Sequence, residues 1–169
     1  MISTREIVLK QKECAVLPLP KITLIGSDYP RLEQLARIAA QKGDVDGIFL
    51  SGEINRADIV ADDWNDVRSL VTMGSWVTYC TNGGAPLRTV QLVWPEERWS
   101  DPARISVLTP LGAALIGLQV DDQMPYCVAG SLNVVRVQNV TQPSPNVVPF
   151  FQARRRSGPL DDDPGPTAA

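Results

Sequence analysis

The 169-residue sequence contains no histidine. That absence excludes Ser-His-Asp and Cys-His nucleophilic catalysis, histidine-ligated zinc and a histidine proton shuttle together. Its three cysteines, Cys14, Cys80 and Cys127, stand far apart, with no C-x-x-C pair. An odd number without a disulfide framework reads as reduced thiols, and hence as a cytoplasmic location. No apolar run approaches the length of a membrane span, so no membrane partner is expected. The opening "MISTREIVLKQKECAVLPLP" carries charges throughout and is not expected to act as a signal peptide. Positive charge is not in excess either: 16 Lys+Arg face 19 Asp+Glu, a net charge of -3. Phosphate neutralisation needs a clustered positive field, so association with DNA or RNA is expected only as weak or indirect, through a protein partner.

What is present is organised in blocks. Residues 1–20 are of mixed character, end on Pro18 and Pro20, and read as an N-terminal arm with a short strand at "EIVL". A helical hairpin is expected over 21–66. In "KITLIGSDYPRLEQLARIAAQKGD", Ser27 or Asp28 is a candidate N-cap, Pro30 suits the first turn, and Gly43 suits the stop. Tyr29, Leu32, Leu35 or Ala36, and Ala39 then share one face. After the turn "GDVDG", Leu50, Ile54, Ala57 and Ala61 repeat at four, three and four residues, which predicts a second helix over 46–61. So short a link makes the two helices antiparallel, each only about 21 Å long at about 1.5 Å per residue.

From 67 to 140 the period changes to that of strands. Met73–Cys80 and Leu87–Trp94 flank "TNGGAP", whose Asn-Gly is a hairpin signal. "RISVLT" predicts a buried third strand, and "YCVAGSLNVVRVQNV" a closing pair that turns near Gly130. Consecutive hairpins imply an antiparallel sheet carrying one short helix over Pro110–Gly117, an α+β fold. From 141 to 169, six of the fourteen prolines together with "RRR" and "DDD" predict a disordered tail, in which Phe150 and Phe151 are the exception.

Three separated segments carry a resemblance. "VTMGSWVTY", "RTVQLVWPEE" and "ISVLTPLGAALIGLQVDDQMPY" resemble the C-terminal domain of the Gre-type transcription elongation factors, and more so the shorter Rnk-like proteins (regulators of nucleoside diphosphate kinase). "KITLIGSDYPRLEQL" is similar to the start of that family's helical hairpin, so the likeness runs from about residue 21 to 140 in the same order. It implies an antiparallel coiled coil followed by an FKBP-like sheet domain. It implies as partner bacterial RNA polymerase, gripped at the rim of the secondary channel. In Gre factors proper it implies acidic residues at the coiled-coil tip that hold a metal for transcript cleavage.

On this resemblance the corner Leu108-Thr109-Pro110 inherits a polymerase contact. Thr109 as N-cap and Pro110 in the first helical turn account for those residue types equally well. Some Gre factors have a polar residue before this corner; Leu108 makes the contact more apolar. At the tip, Asp44 and Asp46 are either helix caps or a pair able to share Mg²⁺ with polymerase groups. Capping is the ordinary use of Asp before a helix, and the family's tip pattern is not matched residue for residue. No catalytic residue, resident metal or cofactor is therefore assigned. Trp99, in the polar loop "WSDPAR", is the expected exposed contact, whereas Trp76, Trp94 and Tyr79 are core or pocket aromatics. The expected function is a non-enzymatic regulator that competes with Gre-type factors on RNA polymerase without stimulating cleavage. The alternatives are a peptidyl-prolyl isomerase on the FKBP-like fold and an oligomeric scaffold.

Overall fold

The structure, a computed structural model, describes residues 19–98 and 100–143. Most of the expected arm, Trp99, Phe150, Phe151 and nearly all of the expected tail lie outside the described residues.

The chain enters through β1 (Thr23–Ile25) and turns into helix α1 (Tyr29–Gln41). Pro30 sits in the first turn as expected, but neither Ser27 nor Asp28 caps the helix through its side chain. Asp28 occupies the N-cap position, yet its carboxylate accepts the Met73 N–H at 3.1 Å. The helix ends before Gly43, whose φ of +76° turns the chain toward α2 (Val45–Asn55). The two helices are antiparallel. Gly47 faces Ala39 near the tip, and a Cβ at Gly47 would come within 2.3 Å of the Ala39 methyl. Only a residue without a side chain lets the backbones approach so closely. Leu32 and Ala36 join Leu50 and Ile54 in one buried cluster across the seam.

The second helix is shorter than its spacing predicts. Asn55 is its last residue, and Asp58–Val60 forms β2, which pairs in parallel with β1 through Thr23–Asp58, Leu24–Ile59 and Ile25–Val60. The apolar repeat at Ala57 and Ala61 is helical in spacing, but Ile59 and Val60 are β-branched and β1 offers them a strand edge. Arg56 stops the helix by folding back: its guanidinium donates to Glu53 and to the Pro20 carbonyl. Tertiary pairing here overrides a local pattern.

The main sheet has the order β5-β4-β3-β7-β6. It is built from β3 (Trp76–Thr81), β4 (Arg88–Val93), β5 (Arg104–Ser106), β6 (Gln123–Val128) and β7 (Ser131–Thr141). The expected Asn-Gly turn joins β3 to β4, with Asn82 and Gly83 both at positive φ. The sheet is not purely antiparallel as expected: β5 runs parallel to β4, pairing Gln91–Arg104, Leu92–Ile105 and Val93–Ser106. The ten-residue connection 94–103, which includes a 3-10 turn at Pro95–Glu97, returns the chain so that β5 starts in the same direction as β4. The sheet is thus mixed, and the fold remains α+β. β7 continues through Thr141, and Gln142 is tied in by bonds from its amide to the Val67 and Leu70 carbonyls (2.8 and 2.7 Å).

Helix α3 (Pro110–Leu115) packs on the inner face, where Val77, Tyr79, Leu92, Met124, Val135 and Val137 are buried. Leu32 and Leu50 of the hairpin belong to the same buried cluster, each contributing about 2 kcal/mol of apolar burial. The base of the hairpin and the sheet therefore share one core. At their junction the Thr23 N–H donates to the Gly117 carbonyl at 3.0 Å, and the Gly117 N–H to the Val71 carbonyl at 2.9 Å.

Candidate functional site

The corner forms where β5 meets α3. Ser106, almost completely buried, is its fixed point. The Ser106 carbonyl accepts the Thr109 N–H at 3.0 Å and the Thr109 hydroxyl at 2.7 Å, while its own hydroxyl accepts the Leu108 N–H at 3.2 Å. Thr109 is the N-cap of α3: its Oγ1 accepts the Gly112 N–H at 3.1 Å, and Pro110 begins the helix. Thr109 thus acts as donor on one side and acceptor on the other, which uses its one donor and leaves a single acceptor lone pair. Leu108, Thr109, Pro110 and Leu111 are all half-buried, and both leucines lean on the core. Leu108, Pro110 and Leu111 leave apolar surface in the corner, beside the half-buried Thr109.

The hairpin tip is small and mixed in character, with Val45 and Ile48 exposed beside Asp44 and Asp46. Asp44 is the N-cap of α2, its Oδ1 accepting the Asp46 N–H at 3.1 Å. Partial burial, and then the neighbouring Asp44 carboxylate, push the Asp46 carboxyl above the usual value of 3.8. Asp44 is therefore engaged as a cap, and the tip presents two mutually repelling carboxylates rather than a ligand set. Among the described residues no group of three or more His, Cys, Asp or Glu side chains is placed to hold a metal ion. By themselves these residues do not fit the metal that the Gre resemblance implies at such a tip.

The aromatic residues divide. Trp94 and Tyr79 are buried, whereas Trp76 is 38 % exposed and three positions from Tyr79 on the same strand. Alternation along a strand sends Trp76 and Tyr79 to opposite faces, so they do not line one pocket together. The acidic segment after α2 is partly occupied as well. Asp58 pairs with Lys21 at 2.8 Å, both well exposed, and Asp62 accepts the Ser27 N–H at 3.0 Å. Among the described residues no helix is long and apolar enough to cross a membrane.

Two features escape sequence reasoning. Arg31, in the first turn of α1, stacks over the Trp94 ring at 3.9 Å to the centroid and forms an ion pair with Glu96. Nothing local marks a contact that spans 65 positions. The second is Glu53, a buried carboxylate held by Arg56. Opposite charges at i and i+3 are the local signal from which this pair could have been read.

The model of the family "Transcription elongation factor, GreA/GreB, C-term" matches residues 66–142. The chain is 29% identical over 123 residues to the regulator of nucleoside diphosphate kinase of Escherichia coli (strain K12), a match covering 70% of this chain and 90% of that protein. Among solved structures, it is similar to a prokaryotic transcription elongation factor GreA/GreB from Nitrosomonas europaea. The TM-score is 0.58 and the identity 30%, over 72% of this chain and 99% of the other.

Proposed function

This chain belongs to the GreA/GreB family of transcription elongation factors, and on that premise we propose that it is a non-enzymatic regulator that docks on bacterial RNA polymerase near the secondary channel. It holds Gre-type cleavage factors out of that channel without stimulating transcript cleavage itself. The observation that carries this reading is the reach of the hairpin. Helices of 13 and 11 residues extend only about 20 and about 16 Å at about 1.5 Å per residue. A finger of that length, tipped by a capping Asp44 and a single further carboxylate, occupies the mouth of a channel but brings no metal to its floor. Cleavage catalysed by a metal needs the ion positioned at the reacting phosphate, and binding at the mouth does not supply that.

The sheet module supplies the grip. Leu108, Pro110 and Leu111 give the corner an apolar contact of preset shape, and the exposed carboxylates of the segment after α2, Asp58 and Asp62 among them, favour a basic wall. Association with DNA or RNA then comes through the polymerase. Control of nucleoside diphosphate kinase, named for the Escherichia coli relative, would follow as an indirect effect of transcription.

The test is competition on stalled elongation complexes supplied with a Gre-type factor. The wild-type chain alone leaves the transcript intact, and with increasing concentration it suppresses cleavage by the Gre factor. Leu108→Asp, which places a charge in the apolar corner, weakens that suppression. Transcript trimming by this chain alone, or undiminished Gre cleavage at saturating concentration, overturns the reading.

A further inference from the structure

The base of the hairpin meets the sheet domain through the shared buried cluster, in which Leu32, Ala36, Leu50 and Ile54 pack with residues of α3 and the sheet, and through the Thr23–Gly117 bond beside it. Apolar packing sets separations more strictly than angles. Directional attachments beside that packing hold the angle. The start of α1 provides them. Asp28 accepts the Met73 N–H, and one turn further Arg31 lays its planar guanidinium over Trp94 while bonding Glu96.

The receiving side is itself rigid. Trp94 is 8 % exposed, its backbone N–H donates to the Glu97 carboxylate at 3.3 Å, and its carbonyl accepts the Glu97 N–H at 3.0 Å. Its neighbour Val93 pairs with Ser106 and accepts the Val107 N–H at 3.1 Å, two residues before Thr109. A continuous set of short links thus runs from the root of the hairpin through Trp94 to the Leu108–Pro110 corner.

We infer that Arg31, clasped between the Trp94 ring and the Glu96 carboxylate, is a positioning residue that fixes the pitch of the helical hairpin, so that hairpin and corner meet the partner as one preset surface. The first half of this inference concerns the free protein, and the second rests on the reading that the partner is RNA polymerase. Preorganisation of this kind lowers the ordering cost of binding. Arginine suits the task because its flat, delocalised group stacks and hydrogen-bonds at once.

Hydrogen–deuterium exchange on the full chain tests the first half. A cation–π stack at a partly exposed site and an exposed ion pair together correspond to about a tenfold change in a local opening equilibrium. In Arg31→Ala, amides of the first turn of α1 and of residues 94–98 therefore exchange about tenfold faster, while amides of β7 keep their protection. Arg37→Ala, which removes the same charge from the same helix, leaves both segments as in the wild type. Unchanged exchange in Arg31→Ala, or equal loosening in Arg37→Ala, overturns the assignment.

Titration against core polymerase tests the second half. Arg31→Ala binds about tenfold more weakly with Tm lowered by only about 5 °C, so that it is fully folded in the assay, and Arg31→Lys, which keeps a cation over the ring, recovers most of the affinity. Faster exchange with undiminished affinity overturns the link between pitch and partner. A wild-type chain that does not bind polymerase removes the functional reading instead, and the exchange result then decides by itself whether Arg31 sets the pitch.

Discussion

Gly112 sits at the tightest approach in the corner, and Gly112→Ala measures how firmly β5 and α3 are clamped together. A Cβ at this position would lie 2.1 Å from the Ser106 carbonyl oxygen and 2.8 Å from its carbon. Ordinary contact begins near 3.4 Å, so strand and helix must separate by roughly 1.3 Å. The clash is with backbone, so no change of rotamer relieves it. Separation stretches both Thr109 bonds to Ser106, each with a net value of about 1 kcal/mol, and adds an overpacking penalty of about 2 kcal/mol. The better helix propensity of alanine returns about 1 kcal/mol. The net loss is about 3 kcal/mol, which for a chain of this size lowers Tm by about 10 °C. Thermal unfolding followed by circular dichroism reads the shift, and urea unfolding with an unchanged m-value confirms that it is stability that moved. A Tm within about 3 °C of wild type, or above it, refutes the clamp, because propensity would then outweigh the contact.

At Asp28 the sign of a pH effect is fixed by its surroundings. Burial raises its pKa above 3.8 against the lowering influence of the Met73 N–H, and Asp62 adds to the rise. A folded carboxyl that holds its proton more tightly than the unfolded one contributes stability below pH 3.8 and loses it as pH rises through the folded pKa. Asp28→Asn keeps an acceptor for Met73, so thermal melts should show it at least as stable as wild type at pH 7, with any gain vanishing below pH 3.8. At the tip, Asp44→Ala should cost about 1 kcal/mol of stability as a lost cap. It should leave competition with a Gre factor unaltered over a Mg²⁺ titration, and a Mg²⁺-dependent loss in that competition assay would contradict the capping role.

What the sequence discloses is what is local. Pro30, Gly43 and the Asn82-Gly83 turn carry their geometry in their own dihedral preferences, and each is found where expected. The cap roles of Asp44 and Thr109 follow from residue type and one neighbour three or fewer positions away. Sequence reasoning fails where a distant partner decides. Ile59 and Val60 join β1 instead of prolonging α2 because a parallel edge 35 positions upstream accepts them. The direction of β5 depends on how far the 94–103 segment travels, which spacing does not encode. Asp28 leaves its own helix for Met73, and Arg31 finds Trp94, because folding brings the sheet beneath the root of the hairpin.

The same division bears on what the corner offers a partner. A capping side chain is already satisfied, and it has little left to give: the Thr109 hydroxyl both donates and accepts within the chain. On the proposed docking, the main contribution of the corner would come from covering Leu108, Pro110 and Leu111, at about 25 cal/mol per Å² of apolar surface. Such a term is insensitive to salt, unlike attraction at the exposed acidic segment, which is screened within about 8 Å at physiological ionic strength. On the proposed docking, the corner would set how long the complex lasts and the exposed acidic segment how quickly it forms, and the angle held by Arg31 would decide whether one partner engages both.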